Sequence, residues 1–449
     1  MTPLRLGWFS IVRLGLVQTA LGAIVVLTTS TINRVMVVEL ALPAMLPGIL
    51  VAWHYALQIL RPRWGHGSDL GRRRTPWIIG GMFTLALGGF GAAVSVAVMA
   101  SNIKAGIALA ALAFTLIGAG VGAAGTSLLV VLATMTDARR RPAAATIVWI
   151  MMIAGFILTA GIAGHFLDPF SPRRLVAVSA AICSAAMILT LVAVWNVEGG
   201  QAKAETPKLR EPEIPFAKAF GHVWNDRLSR RFAIFVFVSM LAYSAQDLVL
   251  EPFAGLVFAY TPGQSTALSG LQNSGVLLGM LLVGFAATLW GSNRSETLRR
   301  WTVSGCIASA VALTSLVAAA LVGAGWPLKA SVFMLGFTNG MFAVAAIGSM
   351  FSFAAGDTAG REGIRMGLFG AAQAIAFGLG GFTGTALVDA TRFLTGSPVM
   401  AFATVFAIEA LTFLAAALLA QKLTTPLTNA QPANPLALAA GHRPNTAGN

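Results

Sequence analysis

The amino-acid sequence predicts an all-α polytopic membrane protein with twelve transmembrane helices in two six-helix halves. Hydrophobic residues make up 57% of its 449 residues and charged residues only 10%, and the mean hydropathy is +0.78. A soluble domain of this length is excluded by that composition. The apolar stretches are long and continuous, whereas strands of a membrane β-barrel alternate over about ten residues. Twelve such stretches follow one another, with a polar segment after the sixth.

In the first half, helix 1 is expected at residues 14–32, after a short interfacial helix at the N-terminus. It is too long for a signal-peptide core, so we expect it to be retained. Helices 2 to 6 follow at 42–60, 77–100, 105–133, 143–166 and 175–195. In the second half, helices 7 to 12 are expected at 232–260, 265–290, 302–323, 327–353, 366–388 and 398–420.

The predicted domains are an N-terminal half over 1–195, a linker over 196–231, a C-terminal half over 232–420 and a disordered tail over 421–449. Within the linker, the apolar residues of 216–224 fall on one helical face. This pattern predicts an amphipathic helix on the membrane surface, with docking of a partner as the alternative.

Positive charge sets the orientation. Of the 30 lysines and arginines, 24 fall in the termini, the linker and the loops of one side, and six fall on the other. Both termini are therefore expected in the cytoplasm. Because membrane topology and anionic lipid explain the net charge of +14, no nucleic-acid partner is predicted.

The two halves also repeat a pattern. An Asp and an Arg precede helices 5 and 11, and an Asp closes each of these helices, 31 and 32 residues after the first Asp. The matching residues are Asp137, Arg139 and Asp168 in the first half, and Asp357, Arg361 and Asp389 in the second. Two related six-helix halves indicate the major facilitator superfamily fold, with a cavity between the halves near the midplane.

The loop between helices 2 and 3 contains Asp69, Arg72 and Arg73 and is similar to the loop signature of that superfamily. This similarity implies a cytoplasmic latch, because Asp69 can accept hydrogen bonds from helix termini and arginines. The predicted latch comprises Asp69, Arg72, Arg73, Asp137, Arg139, Asp357 and Arg361. The alternative is charge that only sets topology, which we favour for Arg73 and Arg74.

Helix 7 contains the most unusual stretch of the chain, Gln246-Asp247-x-x-x-Glu251-Pro252. Asp247 and Glu251 are four residues apart and so share a helix face. Carboxylates inside a span are costly and usually face a cavity or a partner, and Pro252 removes a backbone donor. We therefore expect a specific polar site here. The alternative is a kinked helix end at the interface with Glu251 in water.

Three stretches together resemble the bacteriochlorophyll delivery family, the PucC/LhaA-like branch of the superfamily. They are the segment from Asn33-Arg34 to Glu39, the Ser68-Asp69 loop that ends in Arg-Arg-x-Pro, and the helix 7 stretch. The resemblance implies an assembly factor that binds bacteriochlorophyll or delivers it to light-harvesting or reaction-centre polypeptides. It further implies a bacterial inner or intracytoplasmic membrane, with pigment-synthesis enzymes as possible partners.

Under this resemblance, the pigment- or partner-binding residues are Asn33, Arg34, Glu39, His54, Gln246, Asp247, Glu251 and Pro252. His54 is the imidazole best placed to ligate the magnesium of the pigment, although a lone intramembrane histidine is more often only hydrogen-bonded. Asp247 and Glu251 are expected to meet pigment or partner groups, or to pair with Arg34. Arg34 and Glu39 alternatively pair with each other. No metal held by the protein itself is predicted.

Other functions stay open at this point. The sequence shows no combination of a nucleophile, a base and an orienting group, and its histidines are scattered. An enzyme is therefore not predicted. The main alternative is a proton-coupled transporter of a small solute, with Asp247, Glu251 and Glu409 as proton carriers. A scaffold that only docks single-helix polypeptides is a third possibility.

Overall fold

The computed structural model describes residues 6–58, 73–137, 140–197, 225–289, 294–354 and 362–422. Within these residues, twelve helices follow one another. They are α1 (Trp8–Glu39), α2 (Met45–Leu57), α3 (Thr75–Met99), α4 (Ile103–Met135), α5 (Arg141–Phe166), α6 (Pro172–Val194), α7 (Arg227–Phe258), α8 (Pro262–Leu289), α9 (Arg294–Val322), α10 (Leu328–Ala354), α11 (Glu362–Thr395) and α12 (Pro398–Gln421).

Eleven of these helices are long and apolar enough to cross a membrane by length and composition. The shorter α2 has 13 residues and adjoins the segment 59–72, which lies outside the described residues. The number, order and character of the helices confirm the predicted twelve-helix membrane fold. The predicted amphipathic linker helix at 216–224 and the tail beyond residue 422 also lie outside the described residues.

The prediction for helix 1 is wrong at both ends. A single helical run from Trp8 to Glu39 replaces the separate interfacial helix and the expected end at residue 32. This run contains no proline, and Asn33 and Arg34 find partners inside the protein, so the chain does not have to leave the bundle there. Most of the other helices are longer than the apolar stretches that predicted them, because a helix continues beyond the hydrocarbon core. The exceptions are α2, which begins at Met45, later than expected, and α10, which has the expected length.

Each half of the molecule has its own apolar core. One buried cluster comes almost entirely from α1–α6, and the other comes almost entirely from α7–α12. The two clusters interlock through Val37, Ala44 and Ile153, which pack into the second core, and through Leu248, which packs into the first. Across the halves, α5 packs against α8 and α2 packs against α11.

Two opposite ends of the bundle can be distinguished. We call the end that carries the N-terminus the proximal end, and the end where α1, α3, α5, α7, α9 and α11 finish the distal end.

Close packing of α8 against α10 depends on glycine. A Cβ atom at Gly275 or Gly279 would overlap a backbone carbonyl oxygen of α10, and one at Gly336 or Gly340 would overlap a carbonyl oxygen of α8. Small residues that let backbones touch are the usual device for joining membrane helices, where the hydrophobic effect does not distinguish protein from lipid.

Substitution of Gly275 by Ala tests this packing against a control in the same helix. The added methyl group would overlap Phe333 O, so we expect Gly275→Ala to lower the free energy of unfolding by about 1–3 kcal/mol. Gly284→Ala meets nothing within 4 Å and should be neutral or slightly stabilising. Thermal unfolding in detergent measures both, and equal effects of the two changes would contradict the packing account.

Candidate functional site

The polar stretch of α7 joins the two halves of the molecule. The first of its contacts is a consequence of Pro252. Proline has no backbone N–H, so the carbonyl oxygen of Leu248, four residues earlier, lacks its usual partner in the helix. The side chain of Asn33 in α1 supplies one, since its Nδ2 donates to Leu248 O at 2.7 Å. Asn33 is buried. An unpaired carbonyl inside a membrane protein costs several kcal/mol, so this bond offsets the effect of Pro252.

Glu251 lies one turn beyond Asp247 in α7 and is only 1% exposed. Its Oε1 accepts hydrogen bonds from Ser30 in α1 and from Ser269 in α8, the latter at 2.6 Å. Beside it, Thr31 and Thr266 share a hydrogen bond of 3.1 Å between their hydroxyls. The interpretation of Glu251 as a solvated residue at a helix end is therefore wrong, and the carboxylate ties α1 to α7 and α8.

Arg34 forms a further contact between the halves, just beyond the end of α7. Its guanidinium forms an ion pair with Glu39 and donates to Tyr260 O at 2.6 Å. The carbonyl oxygens at the C-terminal end of a helix carry partial negative charge, so a buried cation is favourable there. The alternative of a local pair between Arg34 and Glu39 is the one observed. Neither Asp247 nor Glu251 forms an ion pair with Arg34 among the described residues.

α1 changes its geometry where these contacts occur. It is α-helical over Trp8–Val26 and then contains π-helical turns over Leu27–Ile32 and Val35–Glu39. Such wide turns are rare and often accompany functional sites. Here the first wide segment contains the contact residues Ser30 and Thr31, and Asn33 and Arg34 lie between the two segments.

Two further carboxylates join the halves by capping helix N-termini. Asp168, after α5, accepts from the Thr261 hydroxyl at 2.6 Å and from the Gly263 backbone N–H at 3.1 Å, at the start of α8. Asp389, near the end of α11, accepts from the N–H groups of Ala44 at 3.0 Å and Met45 at 2.7 Å, at the start of α2. Each Asp therefore meets the positive end of a helix in the other half.

We call these contacts together the distal clamp. Its residues are Ser30, Thr31, Asn33, Arg34, Asp168, Glu251, Tyr260, Thr266, Ser269 and Asp389.

A cavity of about 330 Å³ lies between the halves next to the clamp. Its lining comes from α1, α2, α4 and α5 on one side and from α7, α8, α10 and α11 on the other. Aromatic and sulfur-containing side chains supply much of the wall, namely Tyr55, Trp149, Met152, Phe156, Met240, Tyr243, Met280 and Phe377. The rings of Tyr55 and Tyr243 lie 5.5 and 5.9 Å from that of Phe377, so this aromatic group spans both halves.

Polar groups interrupt the apolar wall. Amide side chains line the cavity at Gln18, Gln58, Gln272, Asn273 and Gln373, and Asp247 is a carboxylate on the wall. Asp247 is half-buried. Asp247 and Glu251 thus share a helix face, as predicted, but only Asp247 faces the cavity. A mostly apolar wall with a few polar groups is typical of a small-molecule site.

His54 also lines the cavity, where it is 1% exposed. Its Nε2 lies 2.8 Å from Nε2 of Gln58, the residue that follows α2, in a hydrogen bond. Gln246 lies away from the described cavity wall, buried, with its Nε2 donating to Tyr243 O at 2.9 Å. Glu409, on α12, is 4% exposed, and neither of its carboxylate oxygens has a hydrogen-bond partner among the described residues.

Most of the predicted cytoplasmic latch cannot be placed. Asp69, Arg72, Arg139, Asp357 and Arg361 lie outside the described residues. Arg73 is exposed before α3, and Asp137 is half-buried after α4. The latch stays a prediction.

Sequence reasoning missed the hydroxyl partners of Glu251. The run Thr28-Thr29-Ser30-Thr31 inside an apolar helix was a signal that could have found Ser30 and Thr31. Nothing in the sequence pairs them with Ser269 and Thr266.

The chain has clear relatives. The family model described as "PUCC protein" matches residues 31–427. A protein of Rhodobacter capsulatus named "Bacteriochlorophyll synthase 44.5 kDa chain" is 50% identical over 93% of this chain and 96% of that protein. A "Protein PucC" of Rhodobacter capsulatus is 29% identical over 90% of both chains. Another, from Cereibacter sphaeroides, is 28% identical over 91% of this chain and 89% of that protein.

Solved structures with a similar fold are transporters. A D-xylose–proton symporter superposes with a TM-score of 0.69 at 14% identity, covering 93% of this chain and 98% of that one. The nucleoside transporter NupG superposes with a TM-score of 0.63 at 15% identity, covering 92% and 98%. At this identity the likeness concerns the fold alone, and it confirms the predicted major facilitator arrangement.

A double-mutant cycle tests the bond that compensates for Pro252. Asn33→Leu leaves the Leu248 carbonyl unpaired and should lower the free energy of unfolding by about 1–3 kcal/mol. In a Pro252→Ala background the restored N–H of residue 252 can bond Leu248 O, so the same change should cost less. Thermal unfolding in detergent gives the four values, and strictly additive effects would count against the pairing.

A distance measurement tests the capping aspartates. Spin labels are attached at positions 104 and 329, which are exposed at the distal end, one in each half. Pulsed electron paramagnetic resonance then measures the distance between the two labels. Asp168→Ala with Asp389→Ala removes both caps and should shift the distribution towards longer distances. Asp226→Ala is the matched control, because Asp226 caps α7 within its own half through Ser229. An unchanged distribution in the double variant would show that the caps do not hold the distal end closed.

Proposed function

The chain belongs to the PUCC protein family, and from this premise we propose that it is an assembly factor for photosynthetic complexes. In this proposal it binds bacteriochlorophyll in the cavity between its halves and delivers the pigment to light-harvesting or reaction-centre polypeptides. The observation that carries the proposal is the 50% identity over 93% of the chain to a protein named for bacteriochlorophyll synthase. Pigment-synthesis enzymes are further proposed partners.

The chemistry of the cavity supports a flat, largely apolar ligand. Aromatic rings and thioethers can pack against a macrocycle, and several amides can donate to peripheral carbonyl groups. The volume of about 330 Å³ is at the lower end for small-molecule sites. It suits part of the ring, with the hydrocarbon tail outside. Two lining side chains, Leu129 and Trp149, are also exposed, at 50% and 37%, and offer an apolar surface for that tail.

The distribution of Lys and Arg supports a cytoplasmic proximal end, with the predicted latch on that side. The distal clamp then closes the periplasmic side of the cavity. Pigment would enter from the membrane or the cytoplasmic face, where its synthesis enzymes are expected to deliver it.

We further propose that the chain handles the pigment without catalysing its synthesis. The relative's name refers to one chain of a synthase, which is compatible with a non-catalytic subunit. A proton-coupled transporter of a small solute is the second candidate, favoured by Asp247, a carboxylate on the wall of a central cavity. Proton-driven solute uptake that disappears in Asp247→Asn, without bound pigment, would support this second function.

Filling the cavity tests the proposed site. A side chain at Gly125, on the cavity wall, has room to start, because the nearest atom to its Cβ is 3.7 Å away. Gly125→Phe should reduce bacteriochlorophyll bound after mild-detergent purification from native membranes by at least about tenfold, equivalent to about 1.4 kcal/mol. The absorption spectrum measures the pigment.

The matched control is Gly161→Phe in α5, where nothing lies within 4 Å and the position is exposed. It should retain the pigment of the unmodified protein. A deletion strain should lose assembled antenna or reaction-centre complexes. Purified protein free of pigment and of photosynthetic polypeptides, together with normal complexes in the deletion strain, would refute the proposed function.

A further inference from the structure

The described cavity wall contains one carboxylate, Asp247, and one imidazole, His54, and both kinds of group commonly ligate metals. The sequence favoured His54 as the group that meets the magnesium of a bound pigment. Their surroundings in the structure differ in a way that reverses this preference.

His54 is poorly placed to reach a ligand. It is 1% exposed, its Nε2 is engaged with Gln58, and its ring lies 4.5 Å from that of Tyr55. Ligation through Nε2 would require Gln58 to move away and the ring to become accessible. The first change would cost a buried hydrogen bond, and the second would be needed for ligation through either ring nitrogen.

Asp247 is better placed. It is the more exposed of the two groups, it lines the cavity, and it accepts no hydrogen bond from any described residue. The described cavity wall contains no lysine or arginine, and Arg34 is occupied by Glu39 and Tyr260. A carboxylate at this depth without a partner is costly, so a positive group of the ligand would stabilise it.

The two neighbouring carboxylates emphasise this difference. Glu251 already accepts hydrogen bonds from Ser30 and Ser269 through its Oε1, and Glu409 is buried on α12 away from the described cavity wall. Among the described residues, Asp247 is the one carboxylate on the cavity wall.

Resting on the proposed function, we infer that Asp247, and not His54, recognises the magnesium of the pigment, to which it would supply a carboxylate oxygen. Magnesium is a hard cation that prefers oxygen ligands. The arrangement makes Asp247 the residue that distinguishes the magnesium pigment from its metal-free form.

Paired binding measurements test this inference. The purified protein is titrated with bacteriochlorophyll and with bacteriopheophytin, which has the same ring without magnesium. The unmodified protein should prefer the magnesium pigment. Asp247→Asn should weaken binding of bacteriochlorophyll by about tenfold, a loss near 1.4 kcal/mol, and leave binding of bacteriopheophytin unchanged. The Qx absorption band, which reports the axial ligands of magnesium, should shift in the same variant.

Glu409→Gln is the matched control, because it neutralises a nearby buried carboxyl that does not line the described cavity. It should keep the preference for magnesium. Because Asn is nearly isosteric with Asp, the folded state of each variant can be verified by its unfolding temperature.

The outcomes separate the inference from the function on which it rests. If both pigments bind and Asp247→Asn weakens both equally or neither, the inference is wrong while the pigment site stands. Loss of the preference in His54→Leu instead of Asp247→Asn would assign the metal contact to the histidine. If the unmodified protein binds neither pigment, the proposed function fails and this inference with it.

Discussion

The structure depends on one compensation inside the membrane, the pairing of a proline-disrupted helix with a polar turn of another helix. Pro252 leaves the Leu248 carbonyl without its helical donor, and Asn33 provides a substitute from the other half of the molecule. Glu251, next to this proline, would be costly alone but is met by hydroxyls from α1 and α8. Hydrocarbon cannot satisfy these groups, so they hold the halves together at this level.

These contacts also bound the cavity between the halves. The clamp closes the distal end of the space between the halves, with Glu251 inside it and Asp247 one turn below on the cavity wall. Asp168 and Asp389 extend the clamp symmetrically, each capping a helix of the opposite half. A fold of this type can open such an end by rocking one half against the other. The hydrogen bonds of the clamp would have to break in that movement.

Much of this architecture could be predicted from the sequence, because the features that indicate it are local in the chain. Long apolar stretches identified the helices, and the repeated Asp positions indicated two related halves. The carboxylates of α7 could be recognised from the sequence because a carboxylate in the hydrocarbon region has a high free energy in any orientation. Their different environments could not be predicted. Asp247 and Glu251 are one turn apart, and the positions of Ser30 and Ser269 decide which of them accepts hydrogen bonds. Asp168 and Asp389 were recognised as a repeat, but their roles as caps depend on the pairing of α5 with α8 and of α2 with α11.

The central claim is that the cavity between the halves, beside Asp247, is where this PUCC family member holds bacteriochlorophyll. An electron cryomicroscopy map of the protein purified from native membranes with its pigment would test it most directly. The account predicts ring density between Phe377 and Trp149 with the metal facing Asp247, and Glu251 still bonded to Ser30. Ring density on the lipid-facing surface, with side chains filling the cavity, would contradict it.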